Sequence, residues 1–522
     1  MNRIFGQNHI GYQESALGDH VFFGINPKTN QQFESVFRQA TTEEVDAALE
    51  KAKRAFEVYR RIPVEKRVAF LKAISEKIQA NKEALIHWFC AESALPEDRA
   101  ETELNRSCFQ LEYYANALAT GYALEIKNDP ANPDRKPAPK PSLMKMNVPV
   151  GPVVVFGASN FPFAYSVLGG DVASAFAAGC SVLVKAHAMH PHTSSLSAQL
   201  ILETAQEHGM PDGIFSHLLA EDFKVGQQLV QDLRTKAVGF TGSIGGGMAL
   251  QKLINERSEP ISLYAEMGSS NPIVLTKAAI KNRTSEIAKQ ISASVLLNAG
   301  QFCTSPGLLF VEESAELKLL KEEMTHYFAQ SDLQCMLHPG ISQRYFERIK
   351  EHEVYAEVIY KGKSEGNFIQ PTLAEASGEQ FLSNPKIQEE IFGSYLTIIR
   401  CKDESELKSC LISLQGQLTV SLYAEEQEHL EELLAIAVMR AGRIIFNGVP
   451  TGVEVSFAQQ HGGPFPSSLN SYFTSVGWDA IKRFQRPVAF QNFPECFENN
   501  KLKFSENTHF LHFLNGKYVQ FP

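Results

Sequence analysis

The chain has 522 residues, which at roughly 150 residues per domain allows two to four domains. Hydrophobic residues make up 44% and charged residues 21%, so the composition excludes wholesale disorder, collagen and coiled coil. Lysine and arginine total 49 against 59 acidic residues, and the resulting net charge of −10 has the wrong sign for a surface that follows phosphate backbones. We therefore expect a folded, soluble protein that does not bind nucleic acid.

The number of cysteines and the N-terminal residues indicate the cellular compartment. Eight cysteines without a CxxC pair are too few for a disulfide scaffold, which indicates reduced thiols in a cytoplasm. The first twenty residues contain no continuous apolar run of the kind found in signal peptides. Residues 161–184 carry one charge, Asp171, but Pro162 and several glycines interrupt them, so we predict a buried loop, helix and strand in place of a membrane span.

Helical spacing dominates the first part of the chain. Apolar residues three and four positions apart predict helices over 42–60, 64–81 and 105–123, with Thr41 or Thr42 as the first cap. Residues 128–141 are rich in proline and polar side chains, which predicts an extended connection. It could be a linker or an arm that reaches a partner subunit.

Short apolar runs then alternate with helical patterns. The runs at 153–156, 181–185, 214–219, 237–240 and 261–265 predict strands of a doubly wound, mostly parallel α/β sheet. Such sheets bind ligands at the carboxyl ends of their strands. A second alternating region over 271–447, with helices at 281–298 and 314–330, predicts another α/β domain. The tail beyond Val488 has no clear periodicity.

Cys303 is a candidate nucleophile. It follows an apolar helical run and stands among small residues, so a turn there could expose its sulfur to a substrate. Most free cysteines are inert and buried, and that reading stays open for Cys303 taken alone.

Two polar residues stand after predicted strands. A carboxylate at Glu266, after a buried strand, is expensive unless it is paired or used, and partial desolvation would suit a general base. Asn160 could donate its amide to a developing oxyanion. A salt-bridged or capping glutamate and a turn asparagine are the plain alternatives.

The sequence from Phe240 to Gly247 reads as strand, glycines and helix, an arrangement that aims backbone amides at a phosphate. Gly242, Ser243 and Gly247 are its candidate cofactor residues, although the GxGxxG fingerprint is absent. Lys185 closes another strand and is a further candidate.

Two groups of histidines come next. His187, His190 and His192 stand close in sequence, but Pro191 breaks any shared helical face, so we predict no metal site and assign His187 to the ribose side of a cofactor. His461, in Gln-Gln-His-Gly-Gly-Pro, could lie near the thiol as an active-site auxiliary or could serve only as a turn histidine.

Six motifs then appear in the order found in the aldehyde dehydrogenase superfamily, which the chain resembles over nearly its whole length. They are Phe-Gly-Ala-Ser-Asn160-Phe-Pro, Val-Lys185-Ala, Phe-Thr-Gly-Ser243 with Gly247, Glu266-Met-Gly, Gly-Gln-Phe-Cys303 and Glu390-Ile-Phe392-Gly393. Residues 128–141, Ala186-His187 and the stretch from Asn447 to Val455 resemble the NADP-linked branch that holds 2-oxoglutarate semialdehyde dehydrogenases and bacterial fatty aldehyde dehydrogenases.

The resemblance implies a mechanism and a domain division. Cys303 would attack the aldehyde, Asn160 and the Cys303 backbone N–H would hold the oxyanion, and Glu266 would activate water to hydrolyse the thioester. Glu390 would bind the nicotinamide ribose, with Phe392 against the nicotinamide end. We expect a Rossmann-type cofactor domain at 1–126 and 147–265, a catalytic domain at 266–455, and bridging segments at 127–146 and 484–522 that form a homodimer or homotetramer.

The expected cofactor preference rests on one position at which this chain differs from NAD-preferring relatives. NAD-preferring relatives typically carry a glutamate three residues after the lysine that matches Lys185, and this chain has Ala188 there. Without that carboxylate a 2′-phosphate would not be repelled, so we expect NADP, with NAD less preferred.

We expect a small-molecule aldehyde substrate, whose identity depends on residues of an early helix. Related oxo-acid enzymes have Gln-Leu-Arg where this chain has Gln110-Leu111-Glu112. An acidic Glu112 would not pair with an anionic substrate, which favours a medium- or long-chain aliphatic aldehyde, while Arg106 one turn earlier keeps 2-oxoglutarate semialdehyde as the alternative.

Three other classes stay open. An acyl-transferring enzyme would be expected to lack the glutamate at Glu266, and a non-enzymatic relative would not need both Glu266 and Cys303. A cysteine hydrolase would require a close pair between Cys303 and His461 and no dinucleotide.

Overall fold

The computed structural model describes residues 6–493, 511–514 and 517–520. The chain begins with four strands and four helices. They are β1 (Asn8–Ile10), β2 (Gln13–Ser15), β3 (Val21–Asn26), β4 (Gln31–Arg38), α1 (Thr42–Tyr59), α2 (Val64–Ala80), α3 (Lys82–Ser93) and α4 (Glu97–Ala119).

The predicted helices of this region form, and α4 differs from its prediction at both ends. Thr41 caps α1 in a reciprocal capping box with Glu44, which confirms the expected start of that helix. The helix predicted over 105–123 is α4, which begins eight residues earlier because Pro96 ends the preceding loop and the acidic first turn of Glu97 and Asp98 suits a helix N-terminus. It ends before Gly121, whose φ of 70° breaks the helix.

The middle of the chain is the alternating α/β region. Its elements are β5 (Lys127–Asp129), β6 (Leu143–Pro149), β7 (Val153–Phe156), α5 (Gly170–Ala178), β8 (Val182–Lys185), α6 (Pro191–Glu207), β9 (Phe215–Leu218), α7 (Lys224–Gln231), β10 (Ala237–Thr241), α8 (Ile244–Asn255) and β11 (Ser262–Glu266). The sheet order is β11-β10-β7-β8-β9-β1-β2, parallel from β11 to β9. The predicted doubly wound sheet is therefore confirmed, and its strand ends carry Asn160, Lys185, Gly242 and Glu266 toward one edge.

A second sheet follows. Its region contains β12 (Ile273–Leu275), α9 (Lys277–Leu296), β13 (Leu308–Glu312), α10 (Glu316–Gln330), β14 (Gln334–Cys335), α11 (Pro339–His352), β15 (Glu357–Lys361), β16 (Ser364–Glu365), β17 (Phe368–Ile369), β18 (Thr372–Ser377), α12 (Gly378–Ser383), β19 (Tyr395–Cys401), α13 (Glu404–Ser413), β20 (Gln417–Tyr423), α14 (Glu431–Val438) and β21 (Ala441–Phe446). The order is β15-β18-β19-β13-β12-β20-β21, with only β15 antiparallel. Each sheet has its own buried apolar clusters.

The last strands return to the middle of the chain. They are β22 (Gln485–Gln491), β23 (Leu511–Leu514) and β24 (Lys517–Gln520). They join β5 and β6 in a sheet of order β22-β6-β5-β23-β24. The two segments predicted to bridge subunits thus pair with each other within one chain, although residues 494–510, 515–516 and 521–522 of the second segment lie outside the described residues.

The apolar stretch 161–184 becomes a buried loop, helix α5 and strand β8, as predicted. Its single charge, Asp171, pairs with Arg483 at 2.6 Å between Oδ1 and Nη2, and the Arg483 side chain is only 3% exposed. In the described part of the chain no helix combines the length and apolarity needed to cross a bilayer.

This ion pair gives a stability test. We expect Asp171→Ala to lower the free energy of unfolding by about 3–5 kcal/mol, because it leaves a buried guanidinium without its carboxylate. The double variant Asp171→Ala/Arg483→Met should recover most of that loss in urea denaturation. Equal losses in the single and double variants would contradict this account.

Candidate active site

Cys303 stands in a tightly fixed turn. Helix α9 is followed by a short 3-10 turn in which Asn298, Ala299 and Gly300 all have positive φ, an unusual conformation for the first two. A Cβ at Gly300 would lie 2.4 Å from the Gly393 backbone, so only glycine permits this approach. The Asn271 amide donates to the Cys303 carbonyl at 2.8 Å. The backbone around the thiol is therefore held from two sides.

The thiol, an imidazole and a carboxylate form a line. Cys303 Sγ lies 3.6 Å from His461 Nε2, and His461 Nδ1 lies 3.0 Å from Glu266 Oε2. His461 and Glu266 are 4% and 8% exposed. Thr474 accepts the His461 backbone N–H at 2.9 Å, which orients the residue. His461, left open as a turn histidine by its sequence, is thus brought between the two predicted catalytic residues.

The groups around His461 shift the pKa of its imidazole ring. Burial alone would lower the pKa of His461, but Tyr165, Cys303 and Glu266 outweigh it and hold that pKa well above its usual value. These neighbours therefore favour the protonated imidazole, with Nε2 toward the Cys303 sulfur and Nδ1 toward the Glu266 carboxylate. Such a pair activates a cysteine nucleophile.

Glu266 is fixed at the end of β11 from both sides. Gly242 donates its N–H to the Glu266 carbonyl at 3.0 Å, and the Met267 N–H donates to Ser467 at 2.8 Å. Gly462 faces the free carboxylate oxygen, since a Cβ there would lie 3.4 Å from Oε1. The carboxylate thus contacts His461, where the sequence alone indicated a base acting directly on water.

Asn160 lies beside the turn that carries Cys303, called the nucleophile turn from here on. Its Nδ2 donates to the Gln301 carbonyl at 3.1 Å, two residues before Cys303. The side chain is half-buried, and its second N–H is available to a bound oxyanion. This hydrogen bond joins the loop after β7 to the turn that carries Cys303. Asn160, the predicted oxyanion donor, therefore lies close to the predicted nucleophile.

The predicted phosphate loop has the expected local form. Ser243 caps α8 by accepting the Gly246 N–H at 3.1 Å. A Cβ at Gly242 would lie 2.7 Å from the Phe240 ring, and one at Gly247 would lie 2.4 Å from Met267 Sδ. At Gly245, by contrast, no atom of the described residues lies within 4 Å of that position. The open start of α8 therefore fits the pyrophosphate of a dinucleotide.

Lys185 and His187 lie at the end of β8. Lys185 Nζ donates to the Ala220 carbonyl at 2.9 Å, and burial lowers its pKa to about 8 against the opposing effect of Asp222. Burial, with His190 and Lys185, holds the pKa of His187 well below its usual value. His187 is therefore a neutral donor and not a cation. Among the described residues no cluster of three metal-ligating side chains occurs.

Glu390 and Phe392 line a pocket of about 380 Å³ together with Phe302 and Ser305 of the nucleophile turn. Burial raises the pKa of Glu390 to about 8. Gly268 lets the carboxylate approach the end of β11, since a Cβ there would lie 2.4 Å from Glu390 Oε2. The pocket thus reaches the turn that carries Cys303.

The three predicted substrate residues lie on helix α4, but their surroundings differ. Arg106 donates through Nη1 to the Val453 carbonyl, and Gln110 is 1% exposed. Glu112 is exposed and accepts a hydrogen bond from Ser75 of α2 at 3.0 Å. The Glu112 side chain thus lies against α2, and its place in the substrate pocket stays a prediction.

Arg443 was missed by sequence reasoning. It lies on β21, donates to the Gly452 carbonyl at 2.8 Å, and is close enough to Cys303 and Tyr165 for electrostatic interaction. Burial lowers its pKa. A lone arginine followed by Ile444 and Ile445 in a strand was the signal that could have indicated it.

Comparison with known proteins gives the family. The model of the aldehyde dehydrogenase family matches residues 14–485. The chain is 40% identical to alpha-ketoglutaric semialdehyde dehydrogenase 2 of Azospirillum brasilense, over 94% of this chain and 95% of that protein. It is 38% identical to alpha-ketoglutaric semialdehyde dehydrogenase of Acinetobacter baylyi over 100% of both.

Solved structures share the fold. A Thermus 1-pyrroline-5-carboxylate dehydrogenase with bound NAD has a TM-score of 0.79 at 22% identity, covering 93% of each chain. Aldehyde dehydrogenase 21 of Physcomitrella patens, in complex with succinate, has a TM-score of 0.80 at 19% identity, covering 94% of this chain and 99% of that one. With the family model matched over residues 14–485, the chain belongs to the aldehyde dehydrogenase family.

Proposed function

We propose that this aldehyde dehydrogenase oxidises 2-oxoglutarate semialdehyde to 2-oxoglutarate. Two relatives that carry this substrate in their names are 40% and 38% identical to the chain along nearly its full length. Their similarity favours the oxo-acid over the medium- or long-chain aliphatic aldehyde that the sequence alone had favoured.

The structural observation that carries the proposal is a set of buried, unpaired polar atoms on α4. Arg106 Nε and Nη2, and both amide atoms of Gln110, are buried without a hydrogen-bond partner among the described residues. Unsatisfied groups of this kind are costly. A substrate with a carboxylate and a keto oxygen would satisfy them, whereas an alkyl chain would leave them unpaired.

One loop connects these groups with the nucleophile. Arg106 and Arg443 both donate to carbonyls of residues 450–453, and Arg443 also interacts with Cys303. Two guanidinium groups beside a single loop suit an anionic substrate whose aldehyde reaches the thiol. The earlier preference for an aliphatic aldehyde came from Glu112, which lies elsewhere.

The geometry supports the following chemistry. The Cys303 thiolate attacks the aldehyde carbon, and the oxyanion accepts hydrogen bonds from Asn160 and the Cys303 backbone N–H. When bound, the nicotinamide supplies the hydride acceptor that leaves a thioester on Cys303. That thioester carries no thiolate charge, so His461 loses a partner that favours its protonated form. His461 then releases its proton to solvent, and the neutral ring, oriented by Glu266, can take a proton from the attacking water. The tetrahedral adduct collapses to the carboxylate and expels the Cys303 thiolate, which pairs again with the protonated His461.

The close pair between Cys303 and His461 is the one a cysteine hydrolase would need. In a dehydrogenase it serves the hydrolytic second half of the reaction. The pocket shared by Glu390 and the nucleophile turn favours the dehydrogenase, because a hydrolase has no use for a dinucleotide.

The substrate proposal is tested by comparing kcat/KM for 2-oxoglutarate semialdehyde and hexanal. We expect the oxo-acid to be preferred, and Arg106→Met to lower its kcat/KM about 10- to 100-fold, since a hydrogen bond to a charged group contributes about 1.5–3 kcal/mol. Hexanal oxidation should be unchanged or faster. Glu112→Gln is the matched control and should change neither substrate. Equal losses for both substrates, or a wild-type preference for hexanal, would refute the proposal.

We also propose that NADP is preferred to NAD. Ala188 stands where a carboxylate would repel a 2′-phosphate, and Lys185 is the nearby cation, while neutral His187 can act only as a donor. We propose in addition a cofactor domain at 1–126 and 147–265 and a catalytic domain at 266–455. The bridging segments would join the subunits of a dimer or tetramer.

The pH dependence follows from Lys185. Because its pKa is about 8, the lysine is charged below that pH and neutral above it. The ratio of kcat/KM for NADP to that for NAD, which reports the free enzyme, should therefore fall as pH rises through about 8. Lys185→Met should give a low ratio that does not change with pH, and Ala188→Glu should favour NAD. A high ratio in Lys185→Met would disprove this role.

A further inference from the structure

Helix α4 carries a buried ion pair that the proposed chemistry does not use. Arg99 Nη2 lies 2.9 Å from Glu103 Oε2, one helical turn away, and the two side chains are 13% and 0% exposed. Burial raises the pKa of Glu103, against the opposing effects of Arg99 and two backbone N–H groups. A buried ion pair is a poor source of stability, since desolvation offsets most of its attraction. Its presence beside the active site therefore needs another reason.

Glu103 holds the loop that carries the oxyanion donor. Its Oε1 accepts the backbone N–H groups of Phe163 at 2.8 Å and Ala164 at 3.0 Å. These residues follow Asn160 by three and four positions. Hydrogen bonds to a charged acceptor are the strong ones, so this carboxylate fixes the loop against α4.

Arg99 contacts both halves of the site. Its guanidinium carbon lies 4.4 Å from the centre of the Phe161 ring and 4.9 Å from that of Phe302. The two rings meet edge to face at 5.5 Å. Phe161 follows Asn160 in the chain, and Phe302 precedes Cys303. One cation thus packs on the neighbours of both the oxyanion donor and the nucleophile.

We propose that the Arg99–Glu103 pair positions Asn160 relative to Cys303. Glu103 fixes the Asn160 loop, and Arg99 joins that loop to the nucleophile turn through the two aromatic rings. Neither residue is assigned a contact with substrate, so both are positioning residues. Displacements of about 1 Å can lower rates about 100-fold, which is the scale on which such a clamp acts. The inference rests on the proposed roles of Cys303 and Asn160.

The test uses two reactions of the full-length protein without nucleotide. Hydrolysis of p-nitrophenyl acetate passes through acylation of the thiol and needs the oxyanion donor, whereas alkylation by iodoacetamide needs only the thiol. We expect Arg99→Met to lower the acylation rate about 10- to 100-fold and to change the alkylation rate less than threefold. Arg99→Lys, which keeps the cation but not the planar group, should recover part of the acylation rate.

Control variants separate positioning from stability. Arg54 pairs with Glu50 on the exposed face of α1, and Arg54→Met should change neither reaction. If Arg99→Met does not fold, Glu103→Gln applies the same test, because it removes the charge and keeps an oxygen acceptor. An acylation rate within twofold of wild type, or equal losses in acylation and alkylation, would overturn the proposal.

The proposed function fails differently. If Cys303→Ala retains ester hydrolysis, Cys303 is not the nucleophile, and both proposals fall. If ester hydrolysis depends on Cys303 but not on Arg99 or Glu103, only the positioning proposal falls.

Discussion

The site depends on the return of residues 461–469 to the end of β11. Leu469 donates its N–H to the Ala265 carbonyl at 3.2 Å, and Ser468 forms an isolated bridge with Glu266. These backbone contacts join the chain that follows the second sheet to the last strand of the first sheet. His461 enters the site on this segment and reaches Glu266 on one side and Cys303 on the other. Without that closure the carboxylate and the thiol would have no common partner.

Helix α4 organises the other side of the site. Arg99, Glu103, Arg106 and Gln110 are spaced by four, three and four residues, so they share one face of the helix. That single face carries the pair proposed to position the catalytic loops and the groups proposed to bind the substrate. Glu112 follows Gln110 by two residues, which turns its side chain by about 200° around the axis. Its solvent exposure and its bond to Ser75 follow from that rotation.

The sequence was most informative where the signal is local. Strands β7 to β11 were predicted because their apolar runs are continuous, and the structure confirms them to within one residue at either end. The start of α4 was missed because its first turn is polar and carries no apolar periodicity. The expected aliphatic substrate rested on Glu112, and an aligned motif says nothing about which helix face a residue occupies.

The interactions among distant residues could not be read in this way. His461 is 158 residues from Cys303 and 195 from Glu266, so no sequence spacing relates them. Arg443 lies on the edge strand of the second sheet and becomes relevant only through the loop at 450–453. The catalytic roles of Cys303, Glu266 and Asn160 stay predictions, now with a geometry that tests can address.

The central claim is that Glu266 acts through His461 in thioester hydrolysis, after the nucleotide has been reduced. The most direct measurement is rapid mixing of Glu266→Gln with saturating NADP and 2-oxoglutarate semialdehyde, following NADPH absorbance. The account requires a burst near one NADPH per subunit, followed by turnover much slower than in the wild type. A slow, linear formation of NADPH without a burst would contradict it, because the step slowed most by the substitution would then precede hydride transfer, as it would if Glu266 acted mainly by activating the Cys303 thiol.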